Sequence, residues 1–161
     1  MTGISGESLR EVMRLLPSPV TVVTAGYNGE IRGITIGSFT STSLEPALVS
    51  FNVSNDSPML DLLSRSSEFI VHFLKASQDD VSERFAVPDQ TGDEQFDGVE
   101  YSVSAKGSPL LDGTLARLTC SVHAIYEAGD HAIIVGLVGA ADEQVPGRPL
   151  IYHDRGYQSV G

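Results

Sequence analysis

A single cysteine, few basic residues and no long apolar run set the first limits on this 161-residue chain. One cysteine excludes an internal disulfide. Cys120 lies inside an alternating apolar segment and reads as a small core residue. No apolar stretch approaches the roughly 20 residues that carry a helix across a bilayer. No positively charged, apolar leader opens the sequence, so no secretory signal is expected and the cytoplasm is the expected compartment. Ten lysines and arginines stand against 21 acidic residues, a formal net charge of -11. Such a chain repels nucleic acid, whose binding needs Lys and Arg to release counterions. Anionic membrane surfaces are disfavoured for the same reason.

Several catalytic signatures are also missing. No His, Cys and Asp cluster has metal-ligand spacing, so no metal is expected. There is no Walker loop, no Gly-x-Gly-x-x-Gly after a strand and no Gly-x-Ser-x-Gly elbow. A nicotinamide cofactor, if one is used, is therefore not held on a Rossmann helix. Any anionic cofactor has to be held locally, by backbone N–H groups, hydroxyls and one or two arginines.

With no repeat and no break in composition, residues 1–161 read as one domain. Leu9, Val12, Met13 and Leu16 follow helical spacing, which predicts a helix over 5–16, ended by Pro17. Strands are expected over 19–25 and 31–36, joined by an Asn28-Gly29 hairpin turn. A third follows over 47–53. Ser57 and Pro58 have the form of an N-cap and first helical position. A strand is expected over 69–74. Ser77 and Asp80 resemble a capping box for a helix running to about Ala86. Residues 88–98 read as an acidic loop. Alternation over 116–126 and the partner run 131–141 predict a long antiparallel hairpin turning at Gly129-Asp130. Leu150 to Tyr152 reads as a last short strand. The pattern alone supports a mostly β chain with a few helices.

The most informative stretch runs from Gly33 to Pro46. It sets six Ser or Thr residues and two glycines between two strand-like runs. Glycine lets a backbone approach a ligand closely, and hydroxyls bond without adding charge. Further along come Arg84-Phe85-Ala86, Ser108-Pro109-Leu110-Leu111, Cys120, Gly129-Asp130-His131 and Pro149-Leu150-Ile151-Tyr152. In this order and spacing, over roughly residues 9–157, the chain resembles the flavin reductase family. That family has the FMN-binding split-barrel fold and includes the reductase components of two-component flavin-dependent monooxygenases.

The resemblance implies an antiparallel split barrel with a few short helices, and a homodimer. The implied activity is an NAD(P)H-dependent flavin reductase: hydride passes from NADH or NADPH to FMN or FAD, and reduced flavin goes to a partner monooxygenase. Carried over residue by residue, the flavin loop falls on Thr35, Ile36, Gly37, Ser38 and Ser41. Family members often have Ser or Ala where this chain has Gly37. Asn52, with Val53 and Ser54, is either a partner for the pyrimidine edge or a polar strand end. Ser57 is a helix cap whose neighbouring N–H groups could meet a phosphate. Arg84 is either a phosphate or ribityl partner or a surface ion pair with Glu83 or Asp80. Phe85 is either a core residue or a ring-stacking one; the resemblance places its segment beside the flavin. His131 is either a solvated turn residue or, as the resemblance implies, a match to a position near the nicotinamide, with Asp130 placed to orient its ring. His72, His123 and His153 read as structural. Two other functions stay open: a non-enzymatic flavin-binding protein, and an oxidase of pyridoxamine-phosphate type, which calls for more basic residues than this chain has.

Overall fold

A computed structural model describes all residues, 1–161, and shows mostly antiparallel β structure with a few short helices. Helix α1 (Gly6–Met13) starts where the Ser5 hydroxyl accepts the Ser8 N–H. Leu9, Val12 and Met13 form its apolar stripe, but the helix ends at Met13, short of the expected end before Pro17, and Leu16 falls in the turn beyond it; none of α1 is buried within the chain. Strand β1 (Ser18–Pro19) leads into the hairpin of β2 (Thr21–Tyr27) and β3 (Glu30–Ile36). Asn28 and Gly29 make its turn with φ of 49° and 82°, a left-handed pair that suits the twist of a two-residue hairpin.

The Ser/Thr-rich stretch is only partly loop. Residues 40–44 form edge strand β4 (Thr40–Leu44), paired with β5 (Ala47–Ser54). Composition suggested a loop here. The edge of β5 takes up the backbone instead, and the hydroxyls suit a solvent-facing edge strand. Helix α2 (Pro58–Arg65) begins at the expected Ser57 cap, which accepts the Met59 N–H, and buries Met59, Leu62 and Leu63. Strand β6 (Phe69–Phe73) follows.

Helix α3 (Asp79–Ala86) corrects one expectation. Its N-cap is Gln78, with no side-chain cap bond, and Ser77 and Asp80 form no capping box. Gln78 is occupied elsewhere, its Oε1 accepting the Lys75 N–H at 3.0 Å. The true box is Thr91 with Glu94, which starts a short helix α4 (Gly92–Phe96) inside the stretch read as an acidic loop. Acidic residues in a first turn favour the helix N-terminus, so the composition that suggested a loop serves a helix start.

Strands β7 (Tyr101–Val103) and β8 (Pro109–Leu111) pair with each other. The long hairpin of β9 (Ala116–Ala128) and β10 (His131–Glu143) forms as expected, with two register shifts. Strands β11 (Leu150–His153) and β12 (Gly156–Ser159) join β1 in a three-stranded sheet. The seven-stranded sheet has the order β3-β2-β6-β9-β10-β5-β4. Its two edge strands, β3 and β4, are consecutive in the chain and joined only by residues 37–39. The sheet must therefore roll until its edges nearly meet, leaving a seam beside Gly37–Phe39.

Two apolar clusters support that seam. One packs Phe51, Phe69 and Ile134 against α2; the other packs Phe85, Phe96 and Leu74 under α3 and α4. Cys120 belongs to the first, and burial pushes its thiol up to about 12. His72 is fully buried: its Nδ1 lies 3.0 Å from the Val22 carbonyl, and its Nε2 accepts the Leu111 N–H at 3.0 Å. Gly33 fits only as glycine, since a Cβ there would lie 2.5 Å from Phe85 Cδ1. Gln95 clasps the same residue, accepting its N–H at 3.1 Å and donating to its carbonyl at 2.8 Å.

Candidate active site

The cleft at the seam is built by the ends of three strands. In β5 the side chains alternate, so Phe51 and Val53 enter the core while Asn52 and Ser54 face outward. Strand β10 runs antiparallel beside it and sets His131 opposite Ser54 and Ile133 opposite Asn52. The end of β3 and the connection after it bring Thr35, Ile36, Gly37 and Ser38 to the same place. The resulting cleft, about 620 Å³, is lined by these groups together with Ile34, Asn52, Val53, Ser54, Ala128, His131 and Ile133.

A second cleft of about 410 Å³ shares Ile34, Thr35 and Ser54 with the first. It carries Ser57 at the start of α2, Phe85, Arg32 and Gln90. The two form one groove along the open side of β3.

The structure thus brings together Thr35, Ile36, Gly37, Ser38, Asn52, Val53, Ser54 and His131, and sets Ser57 and Phe85 in the adjoining stretch. The side chains of Ile36, Val53 and Phe85 are buried, so Ile36 and Val53 offer mainly backbone and Phe85 supports Gly33 from below. Two residues lie apart. Ser41 sits on β4 beside a different, apolar cleft. Arg84 reaches the Gln95 carbonyl at 3.4 Å and forms no ion pair with Glu83 or Asp80.

The polar groups of the groove have spare bonding capacity. Ser38 Oγ accepts the Asn52 N–H at 2.9 Å, which fixes the hydroxyl oxygen and leaves its proton to donate. The Asn52 carboxamide makes no bond within the chain. Thr35 donates to the Ser82 carbonyl at 2.6 Å and keeps its lone pairs. Gln90 Oε1 is buried and accepts no hydrogen bond from the chain. These neutral donors and acceptors, set in partly apolar walls, fit the polar edge and hydroxylated arm of a flavin.

His131 Nδ1 bonds Asp130 Oδ1 at 2.7 Å at the mouth. That hydrogen bond, then the His131 charge, hold the Asp130 carboxyl below its usual range, with Arg10 adding to the effect. An ionised carboxylate only accepts, so Nδ1 carries the proton and Nε2 is the free face of the ring.

Sequence reasoning missed Arg32, Gln90 and Gln95. Arg32 donates to the Gln90 carbonyl at 2.9 Å and so shapes the second cleft. The one available signal was Arg32 preceding the glycine of β3. Gln90 and Gln95 lay in a stretch whose acidic composition hid its helix.

A rolled antiparallel sheet with a hydroxyl- and amide-lined groove at its seam defines a class of small cofactor-binding β proteins. Residues 13–161 match the flavin reductase like domain. The reductase component of a 4-hydroxyphenylacetate 3-monooxygenase from Thermus thermophilus is 38% identical over 96% of this chain and 96% of its own. An NADH:FMN oxidoreductase of Rhodococcus erythropolis is 34% identical, covering 97% of this chain and 82% of that protein. Among solved structures, an NADH:FAD oxidoreductase of Streptomyces globisporus C-1027, in complex with NAD and FAD fragments, superposes with a TM-score of 0.89. It is 33% identical and covers 100% of this chain and 98% of that one. The chain belongs to the flavin reductase like domain family.

Proposed function

We infer that the protein is an NAD(P)H-dependent flavin reductase, built on a split barrel, that supplies reduced flavin to a partner monooxygenase. The observation that carries this reading is the convergence of Thr35, Ser38, Asn52, Ser54 and His131 on one groove. Its site is polar, rich in hydroxyls and amides, with Arg32 in its second cleft. When bound, the flavin supplies the hydride-accepting centre; the chain supplies binding and orientation.

Asn52 and Ser38 face the polar edge of the ring system. Ser57, the N–H groups at the start of α2 and Arg32 receive the phosphate end. Gln90 Oε1 accepts from the hydroxylated arm. His131 sits at the mouth, where a nicotinamide stacked on the flavin would meet its Nε2. No side chain has to act as acid or base, since a hydride transfer needs approach and alignment above all.

The exposed apolar face of α1 supports a homodimer, with a second copy covering Leu9, Val12, Met13 and Leu16. No helix is long and apolar enough to cross a membrane, and a cytoplasmic location is part of this proposal.

The test is an absorbance spectrum of purified protein, then NADH oxidation with and without added FMN. Turnover that depends on FMN is expected. Flavin binding without NADH oxidation would point to a non-enzymatic carrier.

A further inference from the structure

Gln95 is a buried polar side chain, and both ends of its carboxamide go to one residue. Its Oε1 accepts the Gly33 N–H at 3.1 Å, and its Nε2 donates to the Gly33 carbonyl at 2.8 Å. A residue on a neighbouring strand would bond Gly33 in the same way. Strand β3 has no neighbour on this side, because it is an edge of the seven-stranded sheet. The side-chain amide stands in for the missing strand at one point.

The alternation of an antiparallel ladder fixes which other groups share that edge. Tyr27 pairs with Glu30 across the two-residue turn, so the even-numbered residues of β3 bond to β2. Ile31, Gly33 and Thr35 therefore turn their N–H and C=O groups outward. These three positions are closed to different degrees. At Ile31 the start of α4 packs so closely that a Cβ on Gly92 would overlap the carbonyl. At Gly33 the Gln95 carboxamide takes both groups. At Thr35 no side chain bonds the main chain, and the two clefts of the groove meet there. The Thr35 hydroxyl proton is spent on the Ser82 carbonyl, which ties this residue to α3 without covering its edge.

Gln95 is itself held from several sides. The Thr91–Glu94 capping box fixes the first turn of α4. Arg84 donates to the Gln95 carbonyl at 3.4 Å, and the next ring, Phe96, lies 5.0 Å from Phe85 and 4.8 Å from Tyr101. We propose that Gln95 is a positioning residue of the flavin site. By clasping Gly33 it fixes the free edge of β3, so that the Thr35 N–H and C=O meet the flavin as a preset donor and acceptor. The inference rests on the flavin reductase reading. Thr35 stands where the ring cleft passes into the arm cleft, and a flavin offers ring acceptors and ribityl hydroxyls at that junction. An unclasped edge has to be ordered each time a flavin binds, and that cost is subtracted from affinity. Support of a binding group by a second, locked residue removes it.

The experiment titrates FMN and riboflavin into the parent and Gln95→Met, read by flavin fluorescence. Methionine keeps an unbranched side chain of similar length and removes both bonds. Dissociation constants raised about ten-fold are expected for both flavins. The Michaelis constant for FMN rises with them, while that for NADH stays unchanged, since His131 is carried by β10. Val71→Ala is the control, a buried change on β6 that lines neither cleft. It should lower the melting temperature and leave both flavin constants parent-like. Gln95→Glu adds a second reading should the methionine variant fail to fold. Its carboxylate accepts from the Gly33 N–H but cannot donate, and protonation restores the donor. Its riboflavin constant, relative to the parent at the same pH, should fall as pH is lowered from about 8 to about 6, burial having raised the new carboxyl. Parent-like constants in Gln95→Met, a loss that Val71→Ala reproduces, or a Gln95→Glu constant that keeps a fixed ratio to the parent would overturn the proposal. Weakened FMN with unchanged riboflavin would also overturn it, by assigning the effect to Arg32 and the phosphate. A parent that binds neither flavin sinks the reductase reading and this role with it.

Discussion

His131 Nδ1 stands 2.7 Å from Asp130 Oδ1 at the head of β10, in register with Ser54 on the neighbouring strand β5. The contact leaves Nε2 facing outward and fixes which nitrogen carries the proton. His131→Ala should raise the Michaelis constant for NADH by roughly 2- to 12-fold, the loss of one hydrogen bond worth about 0.5–1.5 kcal/mol. FMN affinity should stay nearly constant. Steady-state kinetics at saturating FMN, run beside a thermal melt, separate the roles. Unaltered NADH kinetics would return His131 to a solvated turn residue.

Asp130→Asn tests the orienting half of the pair. The carboxyl is held below its usual range, chiefly by the His131 hydrogen bond, so it stays ionised through neutral and mildly acid pH. We expect a smaller rise in the NADH constant than in His131→Ala, since an unordered ring still occupies the site. A rise as large as that of His131→Ala, or none at all, would refute the orienting role.

Ser38→Leu should weaken flavin binding. The hydroxyl oxygen accepts the Asn52 N–H, and its loss costs about 0.5–1.5 kcal/mol, with steric exclusion added. Fluorescence titration with FMN reads the change. A parent-like titration would move the flavin away from residues 35–38.

Buried His72 makes stability depend on pH. Desolvation is the main cause that lowers its value to about 4 from the ordinary 6.5. The unfolded chain thus binds a proton that the folded chain refuses between those values. Stability is full above about pH 6.5, declines as pH falls, and levels off below about pH 4. The whole span is worth on the order of 3 kcal/mol. Urea midpoints at pH 7.5 and 5 should differ in the parent, and by less in His72→Asn, which cannot take up the proton. Equal differences in the two proteins would assign the acid sensitivity to other groups.

The readable and unreadable parts of this chain divide along physical lines. The β9–β10 hairpin was legible because alternation over a dozen residues has one solution. The Ser57-Pro58 start was legible because an N-cap and a proline at the first helical position reinforce each other. Composition failed where tertiary context decides. Thr40–Leu44 became strand because β5 offered an edge. Glu94 closed a capping box that the surrounding acidity concealed. In the groove, Asn52 and Ser54 followed from strand alternation. Arg32 and Gln90 did not, because only folding sets residues nearly sixty positions apart against each other, as their 2.9 Å contact shows.

Gly33→Ala isolates the packing beneath the groove. A Cβ at this position would lie 2.5 Å from Phe85 Cδ1 and 2.6 Å from Cε1. Phe85 cannot swing away freely, since it is buried with its ring 5.0 Å from Phe96. Overpacking of this kind costs about 1–3 kcal/mol. For a domain of this size that is a melting point lowered by roughly 2–12 °C. FMN affinity should fall with it, because Gly33 adjoins Ile34 and Thr35 of the groove. A variant that melts like the parent would mean that Phe85 repacks at little cost.

Helix α1 leaves its apolar side uncovered within the chain. Leu9, Val12, Met13 and Leu16 are 52%, 62%, 50% and 60% exposed, although their spacing is that of a buried face. An amphipathic helix this short gains little from propensity alone and depends on packing for its stability. A second copy covering the stripe supplies that packing. Light scattering should give the parent the mass of a dimer at micromolar concentration. Val12→Glu with Leu16→Glu places two like charges in the seam, and should give a monomer. The barrel should remain folded, since neither residue is buried in it. A monomeric parent would refute the dimer, and a double variant that stays dimeric would place the interface elsewhere on the surface.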